Sequence, residues 1–513
     1  MFERPRHIIF LVLLMLATAI EKSSASRLLP TGDPAEAAAA ADSASVRRSV
    51  VRATDMDPEH RMPGTVVAAA QPNGAGQSRA LNITTLRALK RPVGLPAADP
   101  PTFWSRDFFT GDWGGLRSAL WDGGVEIAYA QYNDVFINVG GMRDGTAHFG
   151  VGVASLDFQT GPMGLWEGGT VHITTALTWG ESIAREDAGS LSSAYYYDNA
   201  RVDGFKLFEC WYEQRFDENR LGVRIGQIYS YVSFGNLPGA GPLLNSSFHY
   251  PAFLGSALTQ AGGAGLTTAF VAALPSILVR YQPGSSWTFT GMVQDGYADP
   301  SGGFGTGNTH GVTPTLSMRE GAEFLFQATL QHGSVAPGAG RSGIIAAGMQ
   351  LHTGSFALKN RNTTGGVLGL EGGEPASSAG NVLGFVMLEQ RLINGDLGII
   401  SAFAKAMLAP ADRNIVSSNL CIGLALSQFL SSRPMDRIAL GYSRTQVSPD
   451  LGAFLSQTGR PATGEESVVE LAYLFQPSPW MMLRPSLQYI HDPGAVSSAR
   501  DAVLLGVTSC LSL

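Results

Sequence analysis

The chain has 513 residues, of which 15% are charged, 44% are hydrophobic and 62 are glycines; this is too apolar for disorder, yet beyond the N-terminus no apolar run is long enough to cross a bilayer as a helix. The formal net charge is −7; without residues 1–26 it is −8, from 32 basic and 40 acidic residues, which argues against nucleic acid as a partner. Over residues 102–513 the balance is 23 basic to 33 acidic, so a channel built from this chain suits a neutral solute better than phosphate.

Residues 1–26 have the make-up of a cleaved signal peptide. Arg4 and Arg6 precede an apolar stretch over 8–20, and small residues follow at Ser23, Ser24, Ala25 and Ser26. The rival reading, a single membrane anchor, needs more than this stretch offers. Residues 27–101 are rich in Ala, Pro and Gly and hold no period of 2 or 3.6, which predicts a low-complexity, disordered periplasmic leader. A helical arm that touches a partner is the other reading of this stretch, and Val66 to Ala70 is the part that could form it. A short helix is expected over 113–121, with Asp112 as its N-cap, Leu116 and Leu120 on one face, and Gly123-Gly124 ending it.

From there to the C-terminus, strand-length stretches alternate apolar and polar side chains, and the reading is an all-β, transmembrane antiparallel β-barrel of about sixteen strands. The expected strands are 125–133, 148–158, 170–179, 204–216, 220–229, 269–282, 286–294 and 321–331, then 342–352, 382–391, 397–407, 418–427, 436–445, 466–476, 480–490 and 502–512. Short links at 217–219, 283–285, 393–396 and 477–479 all follow even-numbered strands, which makes them the periplasmic turns. Long links at 180–203, 230–268, 295–320, 353–381 and 446–465 follow odd-numbered strands and share the external side.

Period 2 assigns the faces. In the third strand Val171, Ile173, Thr175, Leu177 and Trp179 form a lipid face, leaving His172, Thr174, Ala176 and Thr178 for the bore. His172 reads as a satisfied lumen residue, not a metal ligand. In the fourth strand apolar residues occupy both parities, so energy decides. A basic side chain facing lipid at the midplane costs about 2 to 4 kcal/mol, which turns Glu209, Trp211, Glu213 and Arg215 inward. The same argument points Arg224, Glu470 and Arg484 inward. The expected result is a wet lumen lined by both signs of charge, in which replacing Arg224 with Ala alters conductance without unfolding the barrel.

No HExxH, GxSxG or phosphate-loop pattern occurs, and no cofactor or metal is expected. An outer-membrane hydrolase would need a Ser and a His meeting at the barrel exterior, and no clustered pair is visible in the sequence. Gly338 to Gly343 matches GxGxxG but is followed by a strand, so it reads as a Gly-rich turn. Cys210, Cys421 and Cys510 are odd in number with no ligand spacing and read as small apolar fillers; a disulfide between two of them is open in an oxidising periplasm. The link at 230–268 carries Phe234, Leu243, Asn245, Phe248, Tyr250 and Phe253, too apolar for a loop in water, and is expected inside the bore. Its aromatic and amide groups suit a sugar's CH faces and hydroxyls, or else pack the loop against the wall.

Gly111-Asp112-Trp113-Gly114-Gly115-Leu116-Arg117, with Leu120 and Gly124-Val125, resembles the opening helix and first strand of the carbohydrate-selective porin family of OprB type. Glu209-Cys210-Trp211-Tyr212-Glu213-Gln214, Leu388-Glu389-Gln390, Ala411-Asp412-Arg413-Asn414, Arg433-Pro434-Met435-Asp436 and Leu483-Arg484-Pro485-Ser486-Leu487-Gln488-Tyr489-Ile490 are similar to further blocks of that family, in the same order, and Phe326-Gln327 is similar more weakly. Asn245-Ser246-Ser247-Phe248 resembles a segment of its inward loop. The resemblance runs from about Phe103 to the C-terminus. It implies passive diffusion of mono- or oligosaccharides across the outer membrane of a Gram-negative bacterium; a general or differently selective porin is the alternative. It also implies outer-membrane lipid and the barrel-assembly machinery as partners, and it allows a homo-oligomer. The lumen role is transferred to Glu209, Trp211, Glu213 and Arg224, and with them Asn245, Phe248, Glu470 and Arg484 are the pore-lining or substrate-contact candidates. Two features depart from the family: the chain ends on Leu513 where such barrels commonly finish on an aromatic, so recognition by the assembly machinery is expected to be weaker, and the stretch before Thr102 is longer than the family needs.

Overall fold

The computed structural model describes residues 102–195, 204–230, 233–235, 237–249, 273–296, 311–312, 321–333, 342–395, 398–460, 462–496 and 499–513. The expected signal peptide and leader, Tyr250 and Phe253, and most of the Gly338 to Gly343 run lie outside them. No helix among the described residues is long and apolar enough to cross a membrane.

Sixteen strands form one closed barrel in which each pairs with its sequence neighbours and the first closes on the last. They are β1 (Val125–Gly141), β2 (Gly145–Gln159), β3 (Gly169–Gly180), β4 (Gly204–Phe216), β5 (Leu221–Ile228), β6 (Leu274–Tyr281), β7 (Trp287–Asp295) and β8 (Ala322–His332). The second half comprises β9 (Gly343–Asn362), β10 (Pro375–Gly395), β11 (Gly398–Leu408), β12 (Val416–Ser427), β13 (Arg437–Val447), β14 (Glu465–Ser478), β15 (Met481–His491) and β16 (Arg500–Ser512). The seam is antiparallel, from Ala130 opposite Ser512 to Val139 opposite Val503. Closure leaves no row of unpaired backbone groups at an edge, the condition for a sheet in lipid.

All sixteen expected strands are present, and two hairpins run further than expected. The β1–β2 ladder continues past residue 133 to Asn138 opposite Gly145. β9 and β10 extend into the region expected to be a long link, with only residues 363–374 between them. Ladder hydrogen bonds do not require alternation. Outside the hydrocarbon layer both faces meet water, so the period-2 signal fades while the sheet continues.

Period 2 sorts the side chains as expected in β3. His172, Thr174, Ala176 and Thr178 are buried, whereas Leu177 is exposed on the opposite, lipid-facing side. In β4 one extra residue, Phe208, is inserted where Thr174 faces Glu209 but Thr175 faces Leu207. This bulge turns Phe208 inward beside Glu209 and leaves Phe205 exposed.

The interior is less uniformly wet than the sequence predicts. Leu383, Phe385 and Met387 on β10 and Phe403 and Met407 on β11 all point inward and are buried. β10 has apolar residues on both parities here, so alternation could not reveal an apolar inner wall. Three inward phenylalanines sit opposite a glycine on the neighbouring strand: Phe136 opposite Gly506, Phe385 opposite Gly348, and Phe403 opposite Gly423. In each pair the phenyl ring occupies the space that a Cβ on the glycine would need.

The expected helix before the barrel is present, as a 3-10 turn over Trp113–Gly115 followed by the α-helix α1, Leu116–Asp122. Gly114 and Gly115 have φ of 71° and 98°, which interrupts the helical path after a single 3-10 turn. Asp112 is therefore not the residue next to α1. Its carboxylate still accepts the Ser118 N–H at 2.8 Å, an amide of the first helical turn. Two external elements complete the fold, α2 (Leu368–Glu371) and α3 (Pro449–Gln457), the latter capped by the Ser448 hydroxyl, which accepts from Leu451 N.

Candidate functional site

Two loops, those after β3 and β5, enter the barrel and meet. From the β5–β6 loop, Gly235 N donates to Gln327 Oε1 at 2.7 Å and Gly239 N to Glu389 Oε2 at 2.7 Å. Leu244 N and Asn245 N donate to the two carboxylate oxygens of Glu470 at 2.7 and 2.8 Å. Asn245 Nδ2 donates to Gln488 Oε1 at 3.0 Å. The acceptors stand on β8, β10, β14 and β15, so the loop leaves one side of the barrel and is held by the other, as the sequence predicted for this segment.

Cations clasp the carbonyls of the same loop. Lys405 Nζ donates to Ser247 O at 3.1 Å and also to His249 O. Arg484 Nη1 donates to Gly241 O at 3.3 Å. Acidic side chains thus take the loop's N–H groups and basic ones its C=O groups, each supplying a charge-assisted partner to backbone that would otherwise be orphaned away from water. His249 closes the segment on itself by donating from Nε2 to Leu243 O at 2.6 Å. Burial, with the nearby Lys405 and Arg484 charges, holds its imidazole well below the usual histidine range and outweighs the Leu243 carbonyl.

The β3–β4 loop is held in the same way. Ser190 Oγ and Leu191 N donate to Glu466 at 2.9 and 2.7 Å, and Gln488 Nε2 donates to Ala194 O at 2.8 Å. The two loops then bind each other: Ser193 N donates to Ser246 Oγ at 3.0 Å and Ser246 N to Ser193 O at 3.1 Å.

A second cluster lies on the wall of β2 to β6. Arg224 donates to Glu213 from Nε at 3.0 Å and Nη2 at 2.6 Å, and stacks on Trp211 with its guanidinium carbon 3.6 Å from the ring centroid. Arg215 Nε donates to the other oxygen of Glu213 at 2.6 Å. His172 bonds Asp157 through Nδ1 at 2.7 Å and stacks on Trp211 at 4.5 Å. It is a satisfied interior histidine. Glu209 accepts Tyr229 N at 3.0 Å, where the chain leaves β5 for the inward loop.

The eight residues singled out from the sequence thus fall into two groups. Glu209, Trp211, Glu213 and Arg224 share one wall; Asn245, Phe248, Glu470 and Arg484 meet in the joint between loop and opposite wall. Arg224, Glu470, Arg484, Asn245 and Phe248 are 0 or 1% exposed, which corrects the expectation that Arg224 is a hydrated lumen charge with little packing. Phe248 lies against the wall at Gly441, where a Cβ would come within 2.6 Å of its ring. Glu389, Lys405, Glu466 and Gln488 were missed. The lipid-cost argument applied to Glu209 covers the first three, because each stands on a strand whose other face is apolar.

The Asp412-Arg413-Asn414 block ties an external link to the neighbouring hairpin. Arg413 Nη1 donates to Gly380 O at 2.6 Å, and Asn414 exchanges hydrogen bonds with Asn381. The Arg413 guanidinium beside Asp412 holds that carboxyl below the usual range. None of the three cysteines forms a disulfide; Cys210 is exposed and Cys421 and Cys510 are buried.

The profile of the carbohydrate-selective porin, OprB family matches residues 149–512. Porin B of Pseudomonas aeruginosa is 24% identical over 428 residues, covering 77% of this chain and 89% of the relative. The putative porin QuiX of Acinetobacter baylyi is 23% identical over 449 residues, covering 80% of this chain and 94% of the relative. Among solved structures, Pseudomonas putida OprB at high pH superposes with a TM-score of 0.72 at 20% identity, covering 80% of this chain and all of that one. A closed sixteen-strand barrel with inward loops and a family profile spanning most of the chain lead to one conclusion: this protein belongs to the carbohydrate-selective porin, OprB family, as a sugar porin of the Gram-negative outer membrane.

Proposed function

We propose that sugars diffuse passively through this barrel and that selection takes place where the two interlocked loops narrow it, with no covalent step and no cofactor. The observation that carries this reading is the pair of hydrogen bonds from Leu244 and Asn245 to Glu470, which holds the β5–β6 loop against the far wall at a fixed place. A sixteen-strand bore is wide, and only a fixed inward loop brings it to the dimensions of a sugar. Glu470, Arg484, Asn245 and Phe248 act in this reading by positioning the loop. Glu213 with Arg224, which stacks on Trp211, and with the less buried Arg215 forms a packed charged cluster that stiffens the facing wall.

Single-channel recording in planar bilayers tests the proposal. Glucose or maltodextrin is expected to reduce the ionic current in a saturable manner. A current indifferent to every sugar in a panel that includes mono- and oligosaccharides overturns the carbohydrate selectivity and leaves a general porin.

A further inference from the structure

One stretch of the outer wall departs from the rule that lipid imposes on the rest. On β1 the outward side chains alternate with buried Ala130, Tyr132 and Asp134, and they include Gln131 and Asn133. Ile127 comes before this pair on the same face, and Ile137 and Val139 come after it, all three exposed. The two amides therefore sit within the apolar band and not at its rim. Middle positions on other strands carry apolar side chains, as with exposed Leu420, Ile422 and Leu424 on β12 or Val469 and Leu471 on β14. Acyl chains neither donate nor accept hydrogen bonds, so an amide placed among them must find its partners in protein.

The amides are linked in a relay that stops short. The Tyr129 hydroxyl donates to Gln131 Oε1 at 2.5 Å, and Gln131 Nε2 donates to Tyr132 O at 3.0 Å and to Asn133 Oδ1 at 3.5 Å. Asn133 Nδ2, the last donor, has no acceptor among the described residues, and the side chain is only partly covered, so a neighbouring molecule can reach it. Opposite Asn133 on β16, Ser509 spends its proton on Asn133 O at 3.3 Å, which leaves the hydroxyl oxygen able to accept. The wall is also low here. Gln131 and Asn133 face Gly152 and Gly150 on β2, and the Tyr129 and Trp179 side chains lean into the space that a Cβ on each glycine would need. Small residues that allow close approach, together with polar groups, are what membrane-embedded segments use to bind each other.

We infer that the outer face of β16, β1 and β2 docks a second copy of this chain, in a two-fold pair of parallel barrels with Asn133 at the centre of the contact. A carboxamide is self-complementary. Across a two-fold axis the Asn133 Nδ2 of each copy meets an oxygen of the other, from Asn133, Gln131 or Ser509, and both open donors are satisfied at once. Lipid cannot do the same, because its ester and phosphate oxygens lie at the headgroup level, beyond the apolar residues that flank the pair. The contact lies outside the bore and is independent of how sugars are selected.

The full-length protein in phospholipid bilayers is tested by disulfide trapping and, after gentle extraction, by native mass spectrometry. The wild type is expected as a dimer, and the Gln131→Leu/Asn133→Leu double variant to have a dimer dissociation constant about tenfold higher. Leucine is what lipid favours at these positions, so the double variant folds, and its single-channel conductance should equal that of the wild type. For trapping, Asn133→Cys in a Cys210→Ser background is expected to cross-link to its copy on oxidation. Val386→Cys in the same background, on the lipid face of β10 across the barrel, should stay monomeric. A monomeric wild type overturns the docking surface whether or not any variant folds, as does a dimer undiminished in the folded double variant. Cross-linking of Asn133→Cys in native outer membranes to a chain other than its copy overturns it too, as does cross-linking at Val386→Cys but not at Asn133→Cys.

Discussion

The carboxylate of Glu470 on β14 accepts the backbone N–H of Asn245 at 2.8 Å, joining the inward loop to the wall opposite the strand from which it departs. Its other oxygen accepts Leu244 N and the Ser486 hydroxyl, so one side chain satisfies three donors. Glu470 and Asn245 are fully buried at this joint, so bulk solvent does not compete for these bonds. The position of the loop is therefore a property of the wall as much as of the loop.

Replacing Glu470 with Ala leaves two backbone N–H groups and a hydroxyl without an acceptor, at roughly 1 to 3 kcal/mol each before relaxation. The less costly outcome is for the loop to leave the wall. Glu470→Ala is expected to give a larger or noisier single-channel current and weaker block by sugar, with the barrel retained. Glu470→Gln keeps one acceptor oxygen and should fall between. A current trace and sugar block identical to the wild type in Glu470→Ala would show that the loop does not depend on this contact.

Glu466 holds the other loop through Ser190 and Leu191, and it also accepts Gly494 N, from the link between β15 and β16, at 2.8 Å. The loops touch through Ser193 and Ser246, so the two clasps should be coupled. In a double-mutant cycle, Glu466→Ala and Glu470→Ala are expected to act non-additively on conductance, the second substitution changing less than it does alone. Strict additivity would mean that each loop is held independently.

The barrel was legible in the sequence because lipid imposes a simple rule on every strand that crosses it. An apolar outer face and period 2 located all sixteen strands, and the cost of a charge in lipid turned Glu213, Arg224, Glu470 and Arg484 inward. The same rule carries no information about what fills the interior. It could not show that Phe385 and Phe403 form an apolar inner wall, because β10 and β11 are apolar on both sides there. Nor could it show that Glu470 binds a loop more than two hundred residues distant in sequence, a contact fixed by barrel closure and not by local pattern. The short helix was legible from Trp113 onward, but its internal break was not: Gly114-Gly115 makes the first turn 3-10 and sets the α-helix proper three residues later.

Arg224 is a buried partner in a cluster, so its removal should be felt in stability as well as in conductance. Arg224→Ala takes two hydrogen bonds from Glu213 and the stacking on Trp211, while Arg215 stays as a counter-ion. Charged hydrogen bonds and a desolvated cation–π contact together suggest a loss of about 2 to 4 kcal/mol. The check is the midpoint of urea unfolding in detergent, which should fall for Arg224→Ala and fall less for Arg224→Lys. An unchanged midpoint would mean that the cluster is tolerant of the loss and that the lumen there is wetter than its burial indicates.

Gly441 on β13 offers the most direct way to move the constriction without touching a charge. It lies opposite Gly423, and this flat part of the wall receives Leu243 and Phe248 of the inward loop. A Cβ at Gly441 would come within 2.6 Å of the Phe248 ring and 2.7 Å of Leu243 Cδ1, closer than carbon atoms approach. The strand is held by its ladder on both sides, so the loop is the part that yields, displaced from the wall into the bore. Gly441→Val is therefore expected to reduce conductance and to raise the barrier to larger sugars more than to glucose, the opposite of Glu470→Ala. Pairing it with Phe248→Ala restores the space, and the double variant should recover most of the wild-type current. A Gly441→Val channel with unchanged conductance would show that Phe248 can repack within the joint and that the loop's distance from the wall does not set the bore.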